Sequence, residues 1–368
     1  MGFTNTAARR ILSEYVLPQI GFWAILNTVQ ALYVFLFLKS MLFALGIPAE
    51  RGFGGLFAFG IGMAVFHGGI LGAMDYVMNQ LYFIGRSVSR IVILQSVLSL
   101  GVFILTFYGI RHLILETSVT RFAPDEVVDD RVLRASFWIL LLHYSVGSMM
   151  VSFASHIVKK YGQDVIMPML LGAYRRPQAE NRIFMFMDLK SSTTLAEQLG
   201  HLRYSQLVQA FIIDVNRFLS VYKASIYQYA GDEIVITWRH PDKQAPLAIA
   251  FYFACKGFVE KRRDFYMKRY GAVPEFKAGM DCGVVTAVEI GDVKRDIAYH
   301  GDTLNTASRI QSLCNATNKP LLVSQAVINA LPQNGYLIEP LGPILLKGKE
   351  NTVEVYAVSE TGPSPAFR

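Results

Sequence analysis

Four long stretches of the 368-residue chain contain no Asp, Glu, Lys or Arg, although 35 basic and 28 acidic residues occur elsewhere. They run from Tyr15 to Leu38, Gly52 to Met74, Ile91 to Ile110 and Ala135 to Val158. Each reaches the ~20 apolar residues that cross ~30 Å of hydrocarbon as a helix, which excludes a wholly soluble chain. Outside them the charge content is that of an ordinary soluble domain. The expected organisation is a four-helix transmembrane anchor over residues 1–158, with helices at about 15–38, 52–74, 91–110 and 135–158. A juxtamembrane helical linker over 159–181, a soluble domain over 182–358 and a tail over 359–368 follow.

Cysteine is scarce. Cys255, Cys282 and Cys314 all fall in the soluble part, are odd in number and form no CxxC, so neither a disulfide framework nor a zinc site is supported. A reducing, cytoplasmic setting fits. The net charge of +7 is spread along the chain without a basic block, and no nucleic-acid partner is expected. A cleavable signal is disfavoured too, because the first apolar run follows Arg9, Arg10 and Glu14, is too long, and is interrupted by Pro18, Asn27 and Gln30.

Lys and Arg number 8 in residues 1–14, 75–90 and 159–176 against 6 in 39–51 and 111–134, so the positive-inside rule does not orient the spans. The second span is rich in glycine, and Gly68-x-x-x-Gly72 lets a neighbouring helix approach closely. His67, His143 and His156 lie in the spans and His112 just past the third. The step from His143 to His156 would set two haem ligands about 20 Å apart on one helix face. However, Arg111 and Lys159 put His112 and His156 near the interfaces, where a polar residue needs no ligand, and haem is the weaker reading. The spans hold no ionisable Asp, Glu, Lys or Arg to form an ion path, so the anchor is expected to sense or to dimerise rather than transport. Ile157 to Tyr174 reads as a helix continuing from the fourth span, interrupted at Pro168.

From Arg182 short apolar runs alternate with helical patterns. Strands are expected at Ile183–Met187, Ala224–Tyr229, Glu233–Trp238, Phe276–Val288, near Leu321, at Leu337–Leu345 and at Val353–Val358. Helices are expected over Tyr204–Val221, Asp242–Arg269 and Asp302–Cys314. A hairpin among interleaved strands and helices points to an α+β ferredoxin-like sandwich. Asp188 ends the first strand and Asp232 sits in the hairpin turn, an arrangement that can bring two carboxylates to one sheet edge. Paired carboxylates with phosphate oxygens can hold two Mg²⁺, but Asp is common at strand ends and turns, and the pair alone does not identify an enzyme.

Four motifs in order raise the specificity: Phe186-Met187-Asp188-Leu189-Lys190-Ser191-Ser192, Tyr229-Ala230-Gly231-Asp232-Glu233, Gly301-Asp302-Thr303-Leu304-Asn305-Thr306-Ala307-Ser308-Arg309 and Leu346-Lys347-Gly348-Lys349. Together they resemble the class III nucleotidyl cyclases of membrane-anchored bacterial type, over about Arg182 to Val358. The resemblance implies that Asp188 and Asp232, with Leu189 beside the first, hold two Mg²⁺ or Mn²⁺ ions. It further implies that Asn305 orients the ribose, Arg309 stabilises the α-phosphate in the transition state, and Lys347, with Lys349 beside it, grips the terminal phosphates. Asn305 and Arg309 are i and i+4, hence on one helix face, and Arg suits two phosphate oxygens through its planar fork.

The base-reading positions depart from the family pattern. Where adenylyl cyclases have Lys and Asp or Thr, and guanylyl cyclases Glu and Cys, this chain has Gln228 and Ala298. A Gln amide can donate to adenine or accept from guanine by flipping. ATP as substrate, cyclic AMP as product, a homodimer with shared sites, contact with membrane lipid, and an inner-membrane location with a cytoplasmic catalytic domain are the expectations that follow. A guanylyl cyclase, a diguanylate cyclase-like enzyme and a receptor with an inactive nucleotide-binding domain are the competing readings.

Overall fold

The computed structural model describes residues 12–44, 54–81, 88–116, 130–161, 172–293, 295–332 and 335–360. The chain divides into two compact units, Met1–Gln163 and Asp164–Arg368.

The first unit is a bundle of α1 (Leu17–Ala44), entered through a π-helical turn at Leu12–Val16, α2 (Gly54–Leu81), α3 (Val88–Glu116) and α4 (Asp130–Tyr161). The helices match the four charge-free windows; α3 and α4 overrun them at both ends, α1 and α2 only at the C-terminal end. Leu17–Phe37, Phe57–Met78 and Phe137–Ser155 are long and apolar enough to cross a membrane, whereas the apolar part of α3, Ile93–Tyr108, is shorter. A Cβ added to Gly68 or Gly72 would meet Ile20 Cα or Val16 Cα at 2.6 Å. The two glycines therefore let α2 lie against the start of the first helix, as the small-residue spacing expects.

Trp23 stacks on Tyr144, and Tyr144 on Phe103, to fill the bundle centre. His67 is packed among these rings and its Nδ1 lies 3.2 Å from Met63 O. The side chains of His112 and His156 lie outside those described. One expectation fails here. The second charge-free window stops at Met74, but its helix continues, and Asp75, inside the span Phe57–Met78, is only 2% exposed. A window cut at the first charge does not mark where the bundle stops burying side chains.

The second unit contains an eight-stranded sheet. Its elements are β1 (Gln178–Leu189), α5 (Ser192–Asn216), β2 (Ser225–Ala230), β3 (Glu233–Arg239), α6 (Pro241–Lys261), α7 (Arg263–Tyr270), β4 (Phe276–Ile290), β5 (Asp296–His300), α8 (Asp302–Thr317), β6 (Leu321–Ser324), α9 (Gln325–Asn329), β7 (Tyr336–Ile344) and β8 (Val353–Glu360). The order β2-β3-β1-β4 is the ferredoxin-like arrangement; β6, β8 and β7 extend it, and β5 pairs with β4. The expected α+β fold with an apolar helical anchor is the one observed.

The central strand β1 is apolar on both faces because both are covered. Ile183, Met185, Met187 and Leu189 join the large core formed with α5 and α6, while Phe184 and Phe186 pack with Val285 and with Ala307 of α8 on the opposite face. Two-sided burial of this kind produces a continuous apolar run instead of alternation. Gly279 has room for no side chain, since a Cβ there would meet Gln311 N at 2.1 Å. That contact seats α8 tightly on β4.

Three elements differ from the sequence expectations. The helix expected over Asp242–Arg269 is two helices, because Arg262 leaves helical geometry (φ −95, ψ 14). Its guanidinium lies over Phe265 and bonds the buried Asp214, which also accepts Tyr266 Oη at 2.6 Å. The helix before β2 starts earlier than Tyr204, kinks at Gly200 (φ 71) and ends at Asn216, short of Val221. The short hairpin strand β5 was not expected. Of the linker helix, residues 162–171 lie outside those described, and Gly172 to Arg176 turn before β1 begins.

Candidate active site

Asp188 stands at the end of β1 directly opposite Lys277 of β4. Its Oδ2 lies 3.4 Å from Lys277 Nζ and accepts Gln311 Nε2 of α8 at 3.0 Å. Asp232 follows Gly231, whose φ of 67 makes the tight β2–β3 turn. That turn delivers Asp232 beside Asp188, close enough for each charge to act on the other. Burial, then the Asp232 charge, raises the Asp188 carboxyl above the usual range, against the pull of Lys277. Glu233 is raised for the same reasons. The phenol of Tyr204 in α5 is pushed up to about 12 by burial and then by the Asp232 charge.

Two acids held against one another, with Asp232 Oδ2 buried and lacking a hydrogen-bond partner, form a site that a divalent cation would relieve. The residues therefore fit the expected metal. Among the described residues no group of three or more His, Cys, Asp or Glu is arranged to hold a metal ion, so substrate oxygens and water would complete any shell.

Helix α8 separates two sets of side chains. Thr303, Thr306, Ala307, Ile310, Gln311 and Cys314 form its buried face, and Gln311 reaches Asp188. At ~100° per residue, Asn305 and Arg309 lie on the far face; Asn305 is exposed and Arg309 half-buried. The Arg309 guanidinium abuts Gly348, where an added Cβ would come within 3.4 Å of Nη2. Lys347 is exposed beside it. Lys349 is turned the other way, its Nζ 2.7 Å from Asp302 Oδ2 at the start of α8.

The structure thus gathers Asp188 with Asp232, and Arg309 with the Lys347–Lys349 loop. Leu189 is buried in the core, so only its main chain is available at the site. Gln228 is exposed on β2 and Ala298 is buried on β5 opposite Val288. Their neighbours Tyr227 and Tyr299 meet edge to face at 5.1 Å. Gln311, Lys277 and Tyr204 were not singled out from the sequence. Helical periodicity would have put Gln311 on the buried face of α8, but its partner is set by the sheet.

The profile described as the adenylate and guanylate cyclase catalytic domain matches residues 175–360. The chain belongs to that family. This cyclase domain is 34% identical over 211 residues to Adenylate cyclase 2 of Rhizobium meliloti (strain 1021), covering 57% of this chain and 58% of the relative. To Adenylate cyclase 1 of the same organism it is 25% identical over 179 residues, covering 47% and 27%. The chain thus spans less than two thirds of either relative's length. A bacterial light-regulated adenylyl cyclase shares the fold with TM-score 0.51 and 22% identity, over 58% of this chain and 64% of that one.

Proposed function

We propose that the protein is a membrane-bound adenylyl cyclase that converts ATP to 3′,5′-cyclic AMP and pyrophosphate. The ribose 3′-oxygen attacks the α-phosphorus, the bond to the β-phosphate oxygen breaks, and the 3′-hydroxyl proton is released. Asp188 and Asp232 would hold Mg²⁺ or Mn²⁺, which when bound supplies charge to the attacking oxygen and to the phosphates. Arg309 would oppose the charge that grows on the α-phosphate, where a planar donor fork is effective. Asn305 would fix the ribose, and Lys347 would bind the terminal phosphates.

The observation that carries this reading is the division of α8: one face is fastened to its own Asp188, and the face with Asn305 and Arg309 points away from that aspartate. Such an arrangement supports a site shared between two copies, each lending its acids to one nucleotide and its α8 face to the other. Membrane spans fit the bundle, with lipid around it. Because nucleoside triphosphates are cytosolic, the catalytic domain would face the cytoplasm from a bacterial inner membrane, the bundle acting as sensor or dimerisation unit.

A guanylyl cyclase is the second reading, favoured by Gln228, which can present either amide edge, and by Ala298, which offers no polar group. Product analysis after incubation with ATP or GTP, each with Mg²⁺ or Mn²⁺, decides between them. Cyclic AMP as the main product is expected. Cyclic GMP alone would overturn the ATP reading, and no cyclic product from either nucleotide would overturn both.

A further inference from the structure

The two strands that carry Gln228 and Ala298 are weakly held by main chain. β2 is the outer strand of the sheet, and its register with β3 slips between Ile226 and Gln228. Tyr227 is therefore the extra residue of a bulge, where the ladder is locally interrupted. β5 has five residues and pairs with β4 beside the main strand order. Fixing the distance between Gln228 and Ala298 therefore falls to side chains.

The Tyr227 and Tyr299 rings bridge the two strands at 5.1 Å, and Phe184 of β1 meets both, at 6.1 Å from Tyr227 and 5.5 Å from Tyr299. Arg182, two residues before Phe184, shares that face of β1. It is 3% exposed, and its guanidinium lies over the Tyr299 ring at 4.6 Å. An apolar side chain at this position would continue the row of Phe184 and Phe186. An arginine instead needs a partner, and it stands directly opposite Arg239 of β3, a like-charge pairing that disfavours the two strands.

One carboxylate answers both cations. Arg182 Nε donates to Glu180 Oε2 at 2.6 Å; Tyr174 Oη donates to Glu180 Oε1 at 2.6 Å and accepts Arg239 Nη2 at 3.0 Å. Tyr174 is itself fixed, for it is buried against Ala287 and Ile297 of the β4–β5 hairpin and its carbonyl accepts Glu289 N at 2.8 Å. The bracket thus runs from the turn before β1, through Glu180 and Arg182, to the ring beside Ala298.

We infer that Arg182 is a positioning residue for base selection: held by Glu180 and Tyr174, it fixes the Tyr299 ring against Tyr227 and so sets the separation of Ala298 and Gln228. The inference rests on the proposed reading of the base at those two positions. Lysine is no substitute, since an ammonium has no plane to lay on the ring and no fork to share between ring and carboxylate.

The test measures turnover of ATP and GTP, singly and in competition, by the full chain in detergent micelles. Arg182→Lys should raise KM for the preferred nucleotide and move the ATP to GTP ratio of kcat/KM toward one by roughly three- to tenfold, the scale of a partly desolvated cation–ring contact, with kcat changed less. Tyr174→Phe, which deletes one hydroxyl and keeps the ring, should move the ratio the same way by less. Loss of stability alone would lower turnover of both nucleotides together and leave the ratio where it was. Gln228→Glu, run alongside, separates the two claims: a ratio that moves in that variant but keeps its wild-type value in Arg182→Lys and Tyr174→Phe would overturn the inference alone. A wild type that forms no cyclic product would overturn the proposed activity and the inference together.

Discussion

Gln311 Nε2 donates to Asp188 Oδ2 at 3.0 Å, so the helix carrying Arg309 is fastened through its buried face to an acid of its own chain. A neutral amide proton orients the carboxylate without discharging it. Groups that orient a metal ligand typically contribute 10–100-fold in metal affinity. Gln311→Leu should therefore raise the Mn²⁺ concentration for half-maximal cyclase activity by roughly tenfold or more, with a smaller effect at saturating metal. An unchanged metal titration would reduce Gln311 to a packing residue.

Gln228 is exposed on β2, next to Tyr227, which touches Tyr299. If Gln228 reads the base, Gln228→Glu should move the ratio of ATP to GTP turnover toward GTP. A carboxylate only accepts, and guanine N1–H and N2–H₂ donate. Competition between the two nucleotides measures the ratio, and a constant ratio would take Gln228 out of the base site.

Lys349 is paired with Asp302 at 2.7 Å, while Lys347 on the same loop is exposed. Lys347→Met should raise KM for the nucleotide as a lost phosphate contact does. Lys349→Met should act by releasing the loop from the start of α8, and Asp302→Asn should copy it. The double variant of Asp302 and Lys349 should then be no worse than either single one, since both remove one interaction. Additive losses in a double-mutant cycle would restore Lys349 to the substrate.

Much of this arrangement was legible from local patterns. The charge-free windows located the four helices, and Ala230-Gly231-Asp232 between two strand-like runs located the hairpin, because both depend on residues near in sequence. The motifs pointed to Asp188, Asp232, Asn305 and Arg309 one at a time, and the fold adds which of them face one another. Gln311, Lys277 and Tyr204 escaped notice since each acts across the sheet or from another helix. Asp75 escaped because charge marks a span's edge in sequence, whereas burial follows packing. The break at Arg262 escaped for a related reason: its cause is Asp214, 48 residues away, and no helix propensity reports it.

Asp281 of β4 is buried, accepts Ser324 Oγ at 2.5 Å, and has its carboxyl raised above the usual range, first by loss of solvent. A raised folded-state pKa means the folded chain holds this proton more tightly than the unfolded chain. Its destabilising effect is therefore absent below the ordinary Asp range, about pH 3.9, and grows as pH rises through the folded value. Asp281→Asn removes the ionisation while keeping an acceptor for Ser324. The thermal midpoint of this variant should exceed wild type at neutral pH, and the gap should close toward about pH 4. A gap independent of pH would show that ionisation of Asp281 is not its cause.

The shared-site reading makes the sharpest demand. If the acids of one copy work with the α8 face of the other, Asp188→Asn and Arg309→Ala should each be nearly inactive, the first through a lost metal ligand and the second through lost charge on the transition state. In a mixed dimer both lesions fall in one site and leave the other whole. Random exchange at equal amounts makes half the dimers mixed, each with one working site of two, so about a quarter of wild-type activity should return if the sites are independent. Gln311 sharpens the expectation, because it binds Asp188 from the buried face of α8 in its own chain, while Arg309 lies on the opposite face of that helix. Co-purification through two different tags would establish that mixed dimers form. Activity that stays absent in those dimers would mean Asp188 and Arg309 serve one nucleotide within a single chain, and the division of α8 would need another explanation.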